Sequence, residues 1–146
     1  MKNEFHQGYY RPLNPKKYKG TTPIIYRSYP ELMLFRKFDT SPNIVEWSSE
    51  STIIPYVKPT DGKVHRYFVD FKILFEYNGT RQTYLIEYKP FKKLQLPVKG
   101  KKRIKTFLYE SVEYAVNQAK FEAAEKYAKQ RGWQFKIFTE KELGIG

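Results

Sequence analysis

The sequence predicts an α/β fold: a mixed sheet built round a β-hairpin, with a short N-terminal helix and a long C-terminal one. Three observations predict it. Asn78-Gly79 is a strong two-residue hairpin signal between two runs rich in aromatic and β-branched residues, 68–77 and 82–89. Residues 104–131 carry one long helical pattern. Residues 133–138 form a last aromatic run, which such a helix can return to the sheet as a parallel strand.

The elements follow in order. Residues 1–27 are polar, Tyr-rich and basic, with Arg11, Lys16, Lys17 and Lys19 among them, and Pro12, Pro15, Gly20 and Pro23 punctuate them. They read as an extended basic arm, either a loosely attached terminus or a grip on DNA. Residues 28–146 are expected to form a single domain. Ser28-Tyr29-Pro30-Glu31 opens the first helix, running to about Phe38, with Ser28 and Glu31 spaced as a capping box and Pro30 suited to the first turn. Residues 44–47 and 52–57 read as short strands, the second placed toward an edge by Pro55. Pro59-Thr60-Asp61-Gly62 reads as a turn. In the long helix, Ile104, Leu108, Val112, Ala115, Ala119, Ala123 and Tyr127 recur at helical spacing, and Gly132 is the expected C-cap.

The hairpin carries the candidate chemistry. If Asn78-Gly79 is a two-residue turn, Tyr77 faces Thr80, and counting back along both strands sets Asp70 opposite Glu87 on one face of the sheet. Their Cβ atoms would then lie roughly 4.5–5.5 Å apart. Lys89 points to the same face, two residues on. Like charges directly opposite destabilise a sheet. A divalent cation held by both carboxylates would resolve the conflict, because hard cations take oxygen ligands. Alternatively, Lys89 simply neutralises two carboxylates on a solvated face. A three-residue loop would shift the register and separate the acids.

Composition narrows the partners. Lys and Arg number 27 against 15 Asp and Glu, a formal charge of +12, which favours nucleic acid first and an anionic membrane second. There is no cysteine, so disulfides, thiolate metal sites and thiol nucleophiles are excluded. Neither a signal peptide nor a long apolar run is visible, so a soluble, cytoplasmic protein without a membrane partner is expected. Residues 89–105 hold eight basic residues, among them Lys92, Lys93, Lys101, Lys102, Arg103 and Lys105, with no acid between them. The run reads either as solvated surface or as a track for a phosphate backbone. His6 and His65 have no partner at a metal-ligand spacing.

The order of helix, strands, Asp hairpin Glu-x-Lys, helix and strand resembles the PD-(D/E)xK nucleases. Within them the chain is similar to the TnsA-like endonucleases and to the small head-completion nucleases of T4-like tailed phages. The resemblance is carried by Tyr26-Arg27-Ser28-Tyr29-Pro30-Glu31, Val45-Glu46-Trp47, Ile53-Ile54-Pro55-Tyr56, Tyr67-Phe68-Val69-Asp70-Phe71, Leu85-Ile86-Glu87-Tyr88-Lys89-Pro90 and the stretch from Gly132 to Glu140. It implies a restriction-endonuclease-like core and metal-dependent hydrolysis of DNA phosphodiesters with Mg²⁺, for which Mn²⁺ can substitute. It implies Asp70 and Glu87 as metal ligands, the Tyr88 carbonyl as a further ligand, and Lys89 as the group that positions or activates water. Glu31, read from the residues alone as a helix cap, becomes a candidate ligand by the same resemblance. The implied partners are double-stranded DNA and phage head or portal-neck proteins, in the host cytoplasm or on the virion. Two rival functions stay open: a non-catalytic DNA-binding or virion structural protein, and an RNA-directed nuclease.

Overall fold

The computed structural model describes residues 7–144. A small antiparallel pair, β1 (Gly8–Tyr10) and β2 (Ile24–Tyr26), precedes α1 (Tyr29–Thr40). The main sheet contains β3 (Ile44–Val57), β4 (Val64–Tyr77), β5 (Thr80–Tyr88) and β6 (Gln134–Phe138) in the order β3-β4-β5-β6. β6 lies parallel to β5 and is reached through α2 (Ile104–Gln130). This is the expected mixed sheet with its short and long helices.

The hairpin register is the expected one. Tyr77 pairs with Thr80, and the ladder runs unbroken to Phe71 opposite Ile86. Asn78 and Gly79 both have positive φ, 51° and 77°, the conformation that makes Asn-Gly the favoured two-residue turn. Gly132, at φ 73°, ends α2, and the Trp133 N–H reaches back to the Ala128 carbonyl at 2.8 Å.

The sheet is buried on both faces. Successive β5 side chains point to opposite sides, so Ile86 joins a cluster with Leu34, Phe35 and Phe38 of α1, while Leu85 joins Ala124 and Ala128 of α2. Trp47, Phe35 and Phe71 fill the first cluster and are almost wholly buried. Each such side chain contributes on the order of 1.5–3 kcal/mol.

Three details depart from expectation. The two short strands at 44–47 and 52–57 are one strand, β3, whose pairing with β4 slips between Ser49 and Thr52 where Glu50 takes φ 52°. β3 is an edge strand, as Pro55 requires. The packing face of α2 also differs. Asn117, Phe121, Ala124 and Ala128 are buried, whereas Ile104, Leu108 and Val112 are 57%, 54% and 48% exposed. Only the second half of the helix lies on the sheet, so the apolar spacing of its first half meets no partner surface among the described residues. Finally, residues 7–27 lie against the core. The wholly buried Asp39 accepts hydrogen bonds from the Tyr10 hydroxyl (2.6 Å), the Leu13 N–H (2.7 Å) and the Asn14 N–H (3.0 Å). Burial alone would raise the Asp39 carboxyl, but these hydrogen bonds outweigh it and hold the group below its ordinary range.

Candidate active site

The site forms where β4 and β5 stop pairing. Beyond Phe71 and Ile86 the backbone ladder is replaced by side-chain bonds. Tyr88 N–H donates to Asp70 Oδ2 at 2.9 Å, and Asp70 N–H donates to Glu87 Oε1 at 3.2 Å. Asp70 also marks a changeover in β4. Tyr67 and Val69 pack under α2, but Phe71 and Ile73, next in the alternation, pack with α1. The slip in β3 lies directly across from this point, and a bulge that re-aims a neighbouring side chain accounts for the switch.

Glu87 is buried, with 6% of its surface exposed. Its Oε1 also accepts from the Tyr67 hydroxyl at 2.8 Å, and its Oε2 lies 3.7 Å from Lys89 Nζ. Lys89 is fixed by its own backbone N–H, which donates to the Phe138 carbonyl at 2.9 Å across the β5–β6 pair. Burial raises the Asp70 carboxyl well above its ordinary range, and the Glu87 charge adds to that. Burial likewise raises Glu87, opposed by Lys89, Tyr67 and the Asp70 N–H. Lys89, 3.7 Å from Glu87, does not offset the burial that raises both carboxyls.

That imbalance bears on whether a metal fits. Among the described residues neither Asp70 Oδ1 nor Glu87 Oε2 accepts a hydrogen bond, and Glu87 Oε2 lies 3.7 Å from the Lys89 ammonium. Two hard, anionic oxygens without hydrogen-bonded partners, on carboxylates that already repel one another, suit Mg²⁺ or Mn²⁺. Among the described residues no group of three or more acidic or histidine side chains converges as a metal cluster.

Glu31 stands at the edge of this arrangement. It completes the expected capping box: Ser28 Oγ accepts from Glu31 N–H at 3.3 Å, while Glu31 Oε1 accepts from Arg27 N–H at 2.7 Å and from the Ser28 hydroxyl at 3.3 Å. Its charge nonetheless acts on Asp70, raising that carboxyl further. One oxygen is engaged by the cap and the charge is felt at the site.

The basic residues separate into tied and free. Lys93 pairs with Glu113 at 2.9 Å and Lys102 with Glu110 at 2.6 Å, both acids on α2. Lys17 donates to the Ser41 carbonyl at 2.9 Å. Arg11, Lys16, Lys19, Lys92, Lys101, Arg103 and Lys105 are exposed. Asp61 serves its turn, accepting from Lys63 N–H at 2.9 Å and lying 2.8 Å from His65 Nε2. His6 lies outside the described residues.

Two residues at the site were not singled out from the sequence. Tyr67 is one, and the signal was its place on the Asp70 strand three residues before the acid. Lys120 is the other. Its Nζ lies 5.5 Å from the Tyr67 ring centroid and 5.8 Å from that of Tyr56. Lys126 and Lys129 have glutamates four residues earlier, but Lys120 has Val116 and Ala124 at those spacings. A lysine beside the buried stripe with no acid in helical reach was a readable signal.

The family described as the TnsA-like endonuclease N-terminal domain matches residues 41–140, which include the whole hairpin. The chain is similar to the head completion nuclease of Enterobacteria phage T4, at 38% identity over 146 residues, covering 94% of this chain and 93% of that protein. No solved structure matches the chain.

Proposed function

Because this chain belongs to the TnsA-like endonuclease family, we propose that it is a metal-dependent deoxyribonuclease that hydrolyses phosphodiester bonds of duplex DNA. The observation that carries the reading is the pair of buried Glu87 and half-buried Asp70, each with an oxygen that accepts no hydrogen bond, beside Lys89. Asp70, Glu87 and the Tyr88 carbonyl would hold Mg²⁺, with Glu31 completing the site directly or through water. When bound, the ion lowers the pKa of water and stabilises charge on phosphoryl and leaving oxygens. Lys89 orients the attacking water, and Tyr67 holds the Glu87 carboxylate in place through its hydroxyl. In the reaction water adds to phosphorus and the bond to one sugar oxygen breaks. The proton lost by water is balanced by the one that the departing sugar oxygen takes up, leaving a phosphate monoester end and a hydroxyl end.

The basic residues supply phosphate contacts, which position a duplex without reading its sequence. Arg11, Lys16, Lys19, Lys92, Lys101, Arg103 and Lys105 are exposed for this; Lys17, Lys93 and Lys102 would first leave their present partners. The similarity to a phage head completion nuclease supports a role in processing packaged DNA before the head joins the tail, with head or neck proteins as partners. Among the described residues no helix is long and apolar enough to cross a membrane. The test is cleavage of linear duplex DNA and of RNA by the purified chain with Mg²⁺ and with EDTA. Mg²⁺-dependent loss of DNA alone is expected. Cleavage of RNA alone would make it a ribonuclease, and binding without cleavage a structural DNA-binding protein.

A further inference from the structure

We infer that Lys120, on the second half of α2, is a further phosphate-contacting residue of this site. The inference rests on the nuclease reading above for the identity of the phosphate. Lys120 reaches the site from a different element than Asp70, Glu87 and Lys89, which all sit on the hairpin. Its Nζ is held over the Tyr67 ring, and the same tyrosine's hydroxyl is bonded to Glu87. A second ring, Tyr56, borders it on the β3 side. The stem is half-buried, yet the ammonium makes no hydrogen bond or ion pair among the described residues. The cation–π contacts satisfy the charge in part but leave the three N–H donors unused.

The surrounding charges describe a cationic rim on an acidic centre. The groups that act on Lys120 are Lys89 and Lys58, which oppose its charge, and Glu87 and Asp70, which favour it. Burial lowers its pKa and Lys89 lowers it further, with Glu87 and Asp70 offsetting only part of this. Its ammonium shares the field of both proposed metal ligands and of Lys89. A DNA phosphate held at Asp70 and Glu87 brings anionic oxygens into that space. Lys120 then meets the phosphate from the α2 side while Lys89 faces the water. Because charge on the phosphoryl oxygens must be accommodated as the bond breaks, a preorganised cation there acts on turnover as well as on binding.

Lys120→Met retains an unbranched stem over the tyrosine rings and removes the charge, and Lys120→Arg restores it. Three readouts are combined on the full chain: thermal unfolding, Ca²⁺-supported binding of a short DNA duplex across a salt series, and Mg²⁺-dependent cleavage. For Lys120→Met we expect unfolding close to that of the unaltered chain and a salt slope flatter by about 0.9, the value of one lost phosphate contact. Cleavage at saturating DNA should fall on the order of 100-fold, as for loss of one donor aimed at developing charge. Ca²⁺ binding without DNA should hold or tighten, since a repelling cation has gone, and Lys120→Arg should recover most of the cleavage. An unchanged salt slope together with an unchanged cleavage rate in Lys120→Met overturns the inference. So does a Lys120→Met protein that loses Ca²⁺ binding and activity together and is not rescued in Lys120→Arg, because that is damage to packing. A chain that shows the Lys120-dependent slope but cuts no DNA would retain the phosphate contact and remove the nuclease reading.

Discussion

Asp70→Asn should stabilise the metal-free protein at alkaline pH, although it removes a buried hydrogen-bonding group. The sign follows from the pair. At the roughly 5 Å typical of directly opposed strand side chains and an effective permittivity of about 20, two carboxylates repel by about 3 kcal/mol. Asparagine keeps an oxygen for the Tyr88 N–H, but a neutral acceptor in place of a charged one forfeits about 1 kcal/mol. The net gain is about 1–2 kcal/mol once Lys89 is allowed to offset part of the Glu87 charge. Burial raises both carboxyls in the folded state, and the Glu87 charge raises Asp70 further. The native protein therefore retains protons that the unfolded chain releases at about pH 4. The contribution of these two groups to stability is greatest below that pH and declines as pH rises toward their elevated folded values. The advantage of Asp70→Asn should be absent near pH 4 and grow to its plateau as pH rises. Urea titration followed by fluorescence of Trp47 and Trp133 measures it. Mg²⁺ should reverse the order, because a metal at a hundredfold over its Kd adds about 2.7 kcal/mol to a protein that binds it. Destabilisation by Asp70→Asn at alkaline pH without metal, or equal Mg²⁺ stabilisation of both proteins, would refute the reasoning.

Other outcomes are as specific. Glu31→Gln keeps an acceptor for the Arg27 N–H, so stability should change little, whereas Glu31→Ala should cost about 1 kcal/mol as other cap losses do. If Glu31 also serves the metal, Glu31→Gln will need more Mg²⁺ for half-maximal cleavage; full activity across the titration would make it a cap alone. Replacing Lys101, Lys102 and Arg103 together by Gln should flatten the salt dependence of DNA binding by about two units, not three, because Lys102 is engaged by Glu110. An unchanged slope would leave that run as solvated surface and move the DNA contact to Arg11, Lys16 and Lys19.

What the sequence made legible was local. Asn78-Gly79 dictates a turn with two positive φ values, and the turn sets the register as far as Phe71 against Ile86, the pair just before Asp70 and Glu87. The Ser28–Glu31 spacing and Gly132 fix the ends of both helices for equally local reasons. What escaped was tertiary. Ile104, Leu108 and Val112 have the right spacing for a buried stripe, but only the sheet's extent decides which half of α2 it covers. The acid-free lysine run is partly neutralised by Glu110 and Glu113, which lie on the next element. Asp39, Tyr67 and Lys120 each act through partners at least 20 residues away, as with Tyr67 and Glu87. No periodicity reports such pairs.

The central claim is that Asp70, Glu87 and Lys89 form a metal-dependent phosphodiesterase site. Its most direct test is single-turnover cleavage of linear duplex DNA by the unaltered chain and by Lys89→Ala, in Mg²⁺ and in EDTA, with folding checked by circular dichroism. The account predicts cleavage by the unaltered chain in Mg²⁺ only, and a loss of about 10²–10⁴-fold in a folded Lys89→Ala protein, the usual worth of a positioned proton-transfer group. A folded Lys89→Ala protein that cuts DNA at the unaltered rate, or cleavage undiminished by EDTA, would contradict it.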